Sequence, residues 1–478
     1  MNTISRLHRK PGRFLGRTLS AGLSVWMLGV AFSPALASVP VDQAPLIIQK
    51  PLPPNIVLML DDSGSMDSDY MPDNLSDSSS DGSRNASING TYYNPKVTYV
   101  PPPTADSTSA NPKTYPNSPS LTGAYKDGFL DSTLVDITGY KDSSNGNYPY
   151  YTNLSLATNI TSSSSCNSGY VLTNSGSNYQ CVWNGTGTKS NQKPTCSSGS
   201  LSNDNSQCVI SSKNFFTYVT GPTGSYTRHY VGSTGDCAHL STANQAVCED
   251  SAAVQQSVAN WFSYYRKRIL MAKSGVMSAF SAVDPNFRVG FGSIDGSNAS
   301  KSSLGDDYYA FSTSTSRGTY STGLAVVKPF GDGTSGTQKS KMWNWLAGTS
   351  PSGYTPLRGA LDAVGKYYGT QQPWLTLAGE SGYVSGTNVE LACRQSYSIL
   401  TTDGFWNGST PSGVGNVDNT KATLSGANNQ SYTYTPASPY SDSVSNTLAD
   451  VAMKYWVSDL RTSTPNEVPT STEDPAFW

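Results

Sequence analysis

The sequence predicts an α/β protein built on a mainly parallel sheet covered on both faces, and three observations predict it. The aliphatic run Ile56–Leu60 lacks polar alternation, as a strand buried on both faces does. From Ala252 onward, apolar residues at three- and four-residue steps alternate with further strand-like runs. Two of those runs stop at a carboxylate, Asp61 and Asp403, and ligands of such sheets bind beyond the carboxyl ends of the strands.

Each element follows in order. Arg6, His8, Arg9, Lys10, Arg13 and Arg17 precede an apolar core, Leu19 to Phe32, and a small-x-small site, Ala35-Leu36-Ala37. Residues 1–37 therefore read as a secretory signal, too short in its apolar run for an ordinary spanning helix. Residues 38–54 are Pro-rich and read as an extended linker. After the first strand and its oxygen-rich tail (55–66), residues 67–251 are dominated by Ser, Asn, Gly, Thr, Tyr and Pro. That composition buries too little apolar surface to offset chain entropy unless it is stapled. It is read as a long loop-rich insertion, disordered in part at its start. Asp77 to Gly82 begins like a calcium loop, but Ile88 stands where the bidentate acid is needed, so a solvated loop is expected.

Regular patterning returns in 252–461. Val254, Val258, Trp261, Phe262, Tyr265, Ile269, Ala272, Val276 and Phe280 predict one long amphipathic helix ending at Asp284-Pro285. Residues 287–294 and 323–330 read as strands. Leu357, Ala360, Leu361, Val364 and Tyr368 mark a helix with Pro356 in its first position. Residues 395–401 read as another buried strand, and 445–460 as a closing helix. Residues 462–478 read as an exit linker.

Composition narrows the function classes. A net charge of -2 over 478 residues offers no field for nucleic acid or membrane headgroups. The charged fraction of 13% and the seven cysteines suit an exported protein. Cys166, Cys181, Cys196, Cys208, Cys237 and Cys248 cluster as disulfide candidates whose pairing the spacing leaves open, and Cys393 stands apart. Cys237, His239 and Cys248 can also be read as metal ligands, a reading that the oxidising compartment disfavours.

Asp61, Ser63 and Ser65 form D-x-S-x-S directly after the buried strand. A tight loop with oxygens on alternate residues can aim them at one point, and a carboxylate with two hydroxyls is a hard donor set for Mg²⁺, with Ca²⁺ or Mn²⁺ as alternatives. The plain alternatives are a flexible turn at DSGS, a helix cap at Thr355 and a turn at Asp403-Gly404. DDSGS, followed by GYTPLRGAL and then ILTTDG, resembles a von Willebrand factor A domain. The resemblance implies a doubly wound α/β fold. It also implies a metal-ion-dependent adhesion site with Asp61, Ser63 and Ser65 as first loop, Thr355 as second and Asp403 as third.

A narrower resemblance is carried by CRQSYSILTTDGFWNG, SNTLADVAMKYWVSDLR and EDPAFW, which are similar to the PilY family of type IV pilus biogenesis factors and tip adhesins. It covers roughly 50–66 and 252–478, with the insertion alike only in style. In that family a β-propeller with its own calcium loop follows, whereas this sequence stops at Trp478 within the linker. The resemblance implies a pilus-tip, cell-surface or outer-membrane protein that binds pilin subunits or a host-surface protein presenting a carboxylate. No nucleic-acid partner is expected, nor membrane insertion once the signal is cleaved. Two other functions compete. One is a structural, priming subunit of the pilus tip in which a metal only stabilises the fold. The other is a phosphatase-like hydrolase, which lacks its acid at Ser63 and has only His229 and His239 as bases after signal cleavage. No enzyme is expected.

Overall fold

The computed structural model describes residues 52–75, 82–130, 133–141, 150–160, 166–176, 178–184, 192–221, 224–295, 298, 301–304, 307–315, 318–380, 382–427 and 430–468. The signal segment, nearly all of the 38–54 linker, residues 77–81 of the calcium-like stretch and the end of the exit linker lie outside them. Among the described residues no helix is long and apolar enough to cross a membrane.

The first strand, β1 (Asn55–Leu60), is the one its aliphatic run predicts. The long segment after it contains β2 (Ala124–Tyr125), β3 (Leu134–Val135), β4 (Tyr151–Asn159), β5 (Tyr170–Ser175), β6 (Asn178–Trp183), β7 (Ser200–Leu201), β8 (Gln207–Thr220), β9 (Tyr226–Val231), the one-turn helix α1 (Thr242–Gln245) and β10 (Cys248–Glu249). Then come α2 (Ala252–Tyr264), α3 (Arg268–Ser281), β11 (Arg288–Ser293), the short α4 (Lys301–Leu304), β12 (Tyr308–Thr315) and β13 (Gly318–Pro329). The chain continues through α5 (Gln338–Gly348), α6 (Leu357–Tyr368), β14 (Ser396–Thr401), β15 (Ala422–Ser425), β16 (Ser431–Tyr434) and α7 (Leu448–Trp456).

The central sheet runs β12-β13-β11-β1-β14. β1 is parallel to both β11 and β14, whereas β13 is antiparallel to β11 and to β12. The sheet is therefore mixed, which corrects the expectation of a mainly parallel one. Gly318 pairs with Thr315, and so short a return joins only antiparallel strands. Residues alternate across β1. Leu58 and Leu60 pack with Met277, Phe280, Met342 and Leu346 of α3 and α5, while Val57 and Met59 pack with Leu357, Ala360 and Val364 of α6. β14 is an edge strand, not a buried one, since Tyr397 and Ile399 are exposed.

The single helix expected over 252–280 is two. At its end, Arg266 Nη1 donates to the carbonyls of Phe262 (2.6 Å) and Lys126 (2.7 Å), and the Arg268 N–H donates to Ser68 O (3.0 Å). Partners far away in sequence thus satisfy the chain ends that the break exposes. The other helices start on local signals. Thr337 caps α5 and Thr447 forms a capping box with Asp450 at α7.

The 67–251 segment has a core of its own. Tyr92, Tyr93, Tyr150 and Phe215 surround Trp261 and Phe262 of α2, mostly edge-to-face. β10-β9-β8-β4 form a second sheet, and Leu154, Phe216, Tyr218 and Tyr230 pack on it. The six clustered cysteines pair with their nearest neighbours, as Cys166–Cys181, Cys196–Cys208 and Cys237–Cys248, which leaves Cys393 as a free thiol. This rules out the alternative of a metal held by Cys237 and Cys248.

Candidate metal centre

The parallel register brings three chain ends to one rim of the sheet. Leu60 lies opposite Ser293 on one side and Thr401 on the other. Asp61 N–H donates to Thr401 O at 3.0 Å, so the first loop leaves the sheet beside the loop that carries Asp403. Asp61, Asp62 and Ser63 are all buried. Ser63 N–H donates to Asp61 Oδ1 (2.9 Å), and Thr402 Oγ1 donates to Asp61 Oδ2 (2.8 Å). The hydroxyls of Ser63 and Ser65 lie 3.0 Å apart. The hydroxyls of Ser63 and Ser65 thus lie side by side on this loop, with the Asp61 carboxylate held against the Ser63 backbone.

The second loop is tied to the first by its backbone. Ser352 N–H donates to Asp62 O (2.7 Å) and Gly64 N–H to Gly353 O (3.4 Å). Gly353 has φ +75°, and a Cβ there would strike the Asp295 carboxylate, so only glycine makes this approach. Thr355 is buried. Its N–H donates to Asn407 Oδ1 at 2.8 Å, and its carbonyl accepts from Asn407 N–H at 3.1 Å. Pro356, not Thr355, is the N-cap of α6, and no side chain caps that helix. Pro356 therefore stands one residue before the first helical position it was expected to fill.

The third loop differs from a simple ligand loop. The Asp403 side chain is almost fully buried, and its Oδ2 accepts from Arg268 Nη1 at 2.6 Å. Between Asp403 and Thr355 the chain turns outward. Phe405 is 81% and Trp406 45% exposed. Asn407 then returns to Thr355, which pins this turn at both ends.

Burial is the main cause that raises the Asp61 carboxyl above its usual range. Bonds from Ser63 and Thr402 oppose it, and the nearby Asp403 charge adds to it. Burial pushes Asp62 up to about 6. Bonds from Asn298 and Ser293 lower it, and the charges of Asp295 and Asp61 raise it. Asp62 Oδ1 is buried without a hydrogen-bond partner. No basic side chain stands among the main causes of either shift. Buried carboxylates beside paired hydroxyls make a hard-oxygen donor set of the kind a divalent cation takes, with the Arg268 guanidinium standing beside it on Asp403. Among the described residues no three carboxylates, imidazoles or thiols gather closely enough to hold a metal by themselves, so such a site relies on the hydroxyls. Asp61, Ser63 and Ser65 would supply its first loop. Thr355 and the Asp403 oxygen not bonded to Arg268 would stand on the flanking loops.

Several of these residues escaped the sequence reading. Thr402 sits inside the quoted TTDG, and only the β1–β14 register reveals its bond to Asp61. Arg268 carries no local motif at all.

Comparison with known proteins locates the chain. It is 29% identical over 456 residues to type IV pilus biogenesis factor PilY1 of Pseudomonas aeruginosa strain UCBPP-PA14, covering 94% of this chain and 31% of that protein. The chain is similar to PilY1 over nearly its whole length. The PAK strain's PilY1 is 28% identical over 454 residues, again 94% of this chain and 32% of that protein. The chain thus spans about a third of the length of the curated relatives it matches. An alignment that long takes in residues 67–251, so the likeness to PilY1 extends into the insertion, beyond the part the motifs covered. No family model and no solved structure matches.

Proposed function

We propose that this chain is the cation-dependent binding portion of a type IV pilus biogenesis factor. In this reading 55–66 with 252–461 form a von Willebrand factor A-like domain, interrupted by 67–251 and followed by a linker toward a further domain. The protein is exported and works at the pilus or cell surface. Asp61, Ser63, Ser65, Thr355 and Asp403 hold one divalent cation, Mg²⁺ in the first place. The ion supplies an open coordination position that a carboxylate of a pilin subunit or a host-surface protein fills. The observation that carries this reading is the Asp61 carboxylate, buried without a basic partner and held against the Ser63–Ser65 hydroxyl pair.

The chain's own side chains do the rest. Ser63 N–H and Thr402 Oγ1 fix both oxygens of Asp61, so the carboxylate needs little rearrangement to receive a cation. Phe405 and Trp406 stand in solvent beside the Asp403 loop, where rigid aromatic side chains serve as anchors for a partner. A nucleophilic role for Ser63 finds little support, because its hydroxyl contacts Ser65, while His229 pairs with Glu249 at 3.7 Å in the insertion.

The test is calorimetric titration with Mg²⁺, Ca²⁺ and Mn²⁺ of wild type, Asp61→Ala and the double variant Ser63→Ala, Ser65→Ala, alongside pilus-dependent adhesion and piliation. Binding by wild type alone, with adhesion lost in both variants, supports the reading. Ion binding that survives Asp61→Ala rejects it. Melting with and without EDTA separates the competing role of a purely stabilising metal. A large shift with adhesion intact would favour that role.

A further inference from the structure

We infer that Arg268 is a resident counter-cation that competes with the divalent ion for Asp403 and thereby links ion binding to the first segment of the insertion. This rests on the metal reading above and concerns the regulation of that same site.

Arg268 is the first residue of α3, and its side chain is 2% exposed. A cation in a helix's first turn is opposed by the helix dipole, and no acidic residue of α3 offsets it there. Its balance comes from elsewhere. Nη1 donates to Asp403 Oδ2 (2.6 Å), Nη2 pairs with Asp73 Oδ1 (2.5 Å), and Nε donates to Tyr70 O (2.6 Å). The guanidinium also lies over the Tyr70 ring, 5.1 Å from its centroid, and the Arg268 N–H donates to Ser68 O. One planar fork therefore holds two objects together, the third loop of the proposed ion site and residues 68–73 at the start of the insertion.

An ordinary buried ion pair would need only one acid. Here one of the two acids belongs to the proposed ligand set, and the other hangs on a different segment. A divalent ion entering the rim meets an Asp403 whose charge is already compensated, and it meets the guanidinium as a like charge in a poorly screened place. Ion binding and the Arg268–Asp403 bond therefore oppose each other. Binding loosens the hold on Asp403 and shifts the fork toward Asp73 and Tyr70. By linkage, anything that tightens residues 68–73 on Arg268 also changes ion affinity.

The experiment is calorimetric titration with Mg²⁺ and Mn²⁺ of wild type, Arg268→Gln, Arg268→Lys and Asp61→Ala, with hydrogen exchange followed at Leu75 and Gly90. The amides of these two residues donate to the carbonyls of Pro72 and Met71. Arg268→Gln should bind the ions about tenfold more tightly than wild type, since a competing charge is gone. Arg268→Lys should fall between, because it keeps the charge without the fork. The ions should change exchange at Leu75 and Gly90 in wild type and leave it unchanged in Arg268→Gln. Equal or weaker binding by Arg268→Gln, with wild-type binding intact, would mean that Arg268 only positions Asp403 and overturns the inference. Absence of binding in wild type and Arg268→Gln alike overturns the metal reading beneath it. Should Arg268→Gln not fold, Asp73→Asn is the second variant. Of its two acids Arg268 then keeps only Asp403, and ion binding should weaken more than in Asp67→Asn, whose acid pairs with Lys267 at 2.8 Å. Equal effects of those two variants overturn the inference.

Discussion

The sheet with its rim and the 67–251 segment solve the same problem with different residues. The sheet buries aliphatic side chains, Val57, Leu58, Leu60, Val289 and Val364 among them, in two layers on either side of β1. The insertion, poor in such residues, buries rings. Tyr92, Tyr93, Tyr150 and Phe215 close around Trp261 and Phe262. Their polar atoms are placed as well. Tyr92 OH donates to Phe216 O (2.9 Å), Tyr150 OH to Asp69 Oδ2 (3.0 Å) and Trp261 Nε1 to Thr91 O (2.9 Å). A Ser/Asn/Gly-rich segment can thus build a core from few, large, amphipathic side chains, each burying far more surface than a Val. The difference also shows that α2 serves the insertion more than the sheet, although it precedes the sheet's own helix α3 with hardly a break.

The comparison breaks most sharply at Trp261. Replacing it with Ala should cost roughly 3–5 kcal/mol, as for a fully buried aromatic. Hydrogen exchange should rise first across 92–137, with β1 and β11 remaining protected. Equal loss of protection in both regions would mean that they form one cooperative unit. The disulfides test the other half of the contrast, because they lie outside the aromatic cluster. Cys237→Ser with Cys248→Ser opens a closure of 11 residues and should cost about 3 kcal/mol by chain entropy. It should leave the near-ultraviolet signal of the Trp261 cluster in place. Loss of that signal would show that staples, not rings, hold the insertion.

Lys273 sharpens the boundary between the two regions. It is buried on α3, donates to Ala347 O of α5 at 3.0 Å, and lies 5.3 Å from the centre of the Phe129 ring of the insertion. Burial is the main cause that lowers its ammonium from 10.5 to about 8, opposed by the Asp127 charge. Below about 8 the group is charged in both states, and its burial penalty is fully felt. Between about 8 and 10.5 the folded protein releases this proton before the unfolded one does. The unfolded state then holds more protons, and stability rises with pH. Relative to Lys273→Met, wild type should gain at most about 3 kcal/mol across that window in denaturant titrations. A flat difference would place the ammonium in water.

What the sequence makes legible follows the same divide. β1, β11, α6 and α7 are readable because aliphatic spacing encodes which face is buried. β12, with Tyr308, Phe311 and a run of Ser and Thr, has no such code, nor has α5, where Lys, Asn and Ser interrupt Met342, Trp343 and Leu346. β14 reads as buried from Ile399 and Leu400, but a strand's place at the edge is decided by what pairs beyond it, which no local window contains. The split between α2 and α3 has the same origin, since Lys126 and Ser68 accept the bonds that permit it. At the rim, the alternate spacing of Asp61, Ser63 and Ser65 is visible because the ligands of one loop share one stretch of chain. Arg268 is invisible because its partners, Asp73 and Asp403, come from opposite ends of the fold.

The smallest stability effect belongs to the most exposed pair. Phe405→Ala with Trp406→Ala removes one ring that buries little and one that is about half covered, and the flanking bonds of Asp403 to Arg268 and Asn407 to Thr355 do not involve them. Stability should change by about 1 kcal/mol, from the covered half of Trp406, well below the cost at Trp261. Ion affinity should also be unchanged, because neither ring carries a donor for a hard cation. Adhesion is the quantity expected to fall. A binding surface keeps its anchors in solvent until a partner arrives, whereas the rings of the insertion are spent on its own core. A loss of several kcal/mol in the double variant would place these two rings with the insertion's, as parts of the fold, and would leave the rim without an apolar contact to offer.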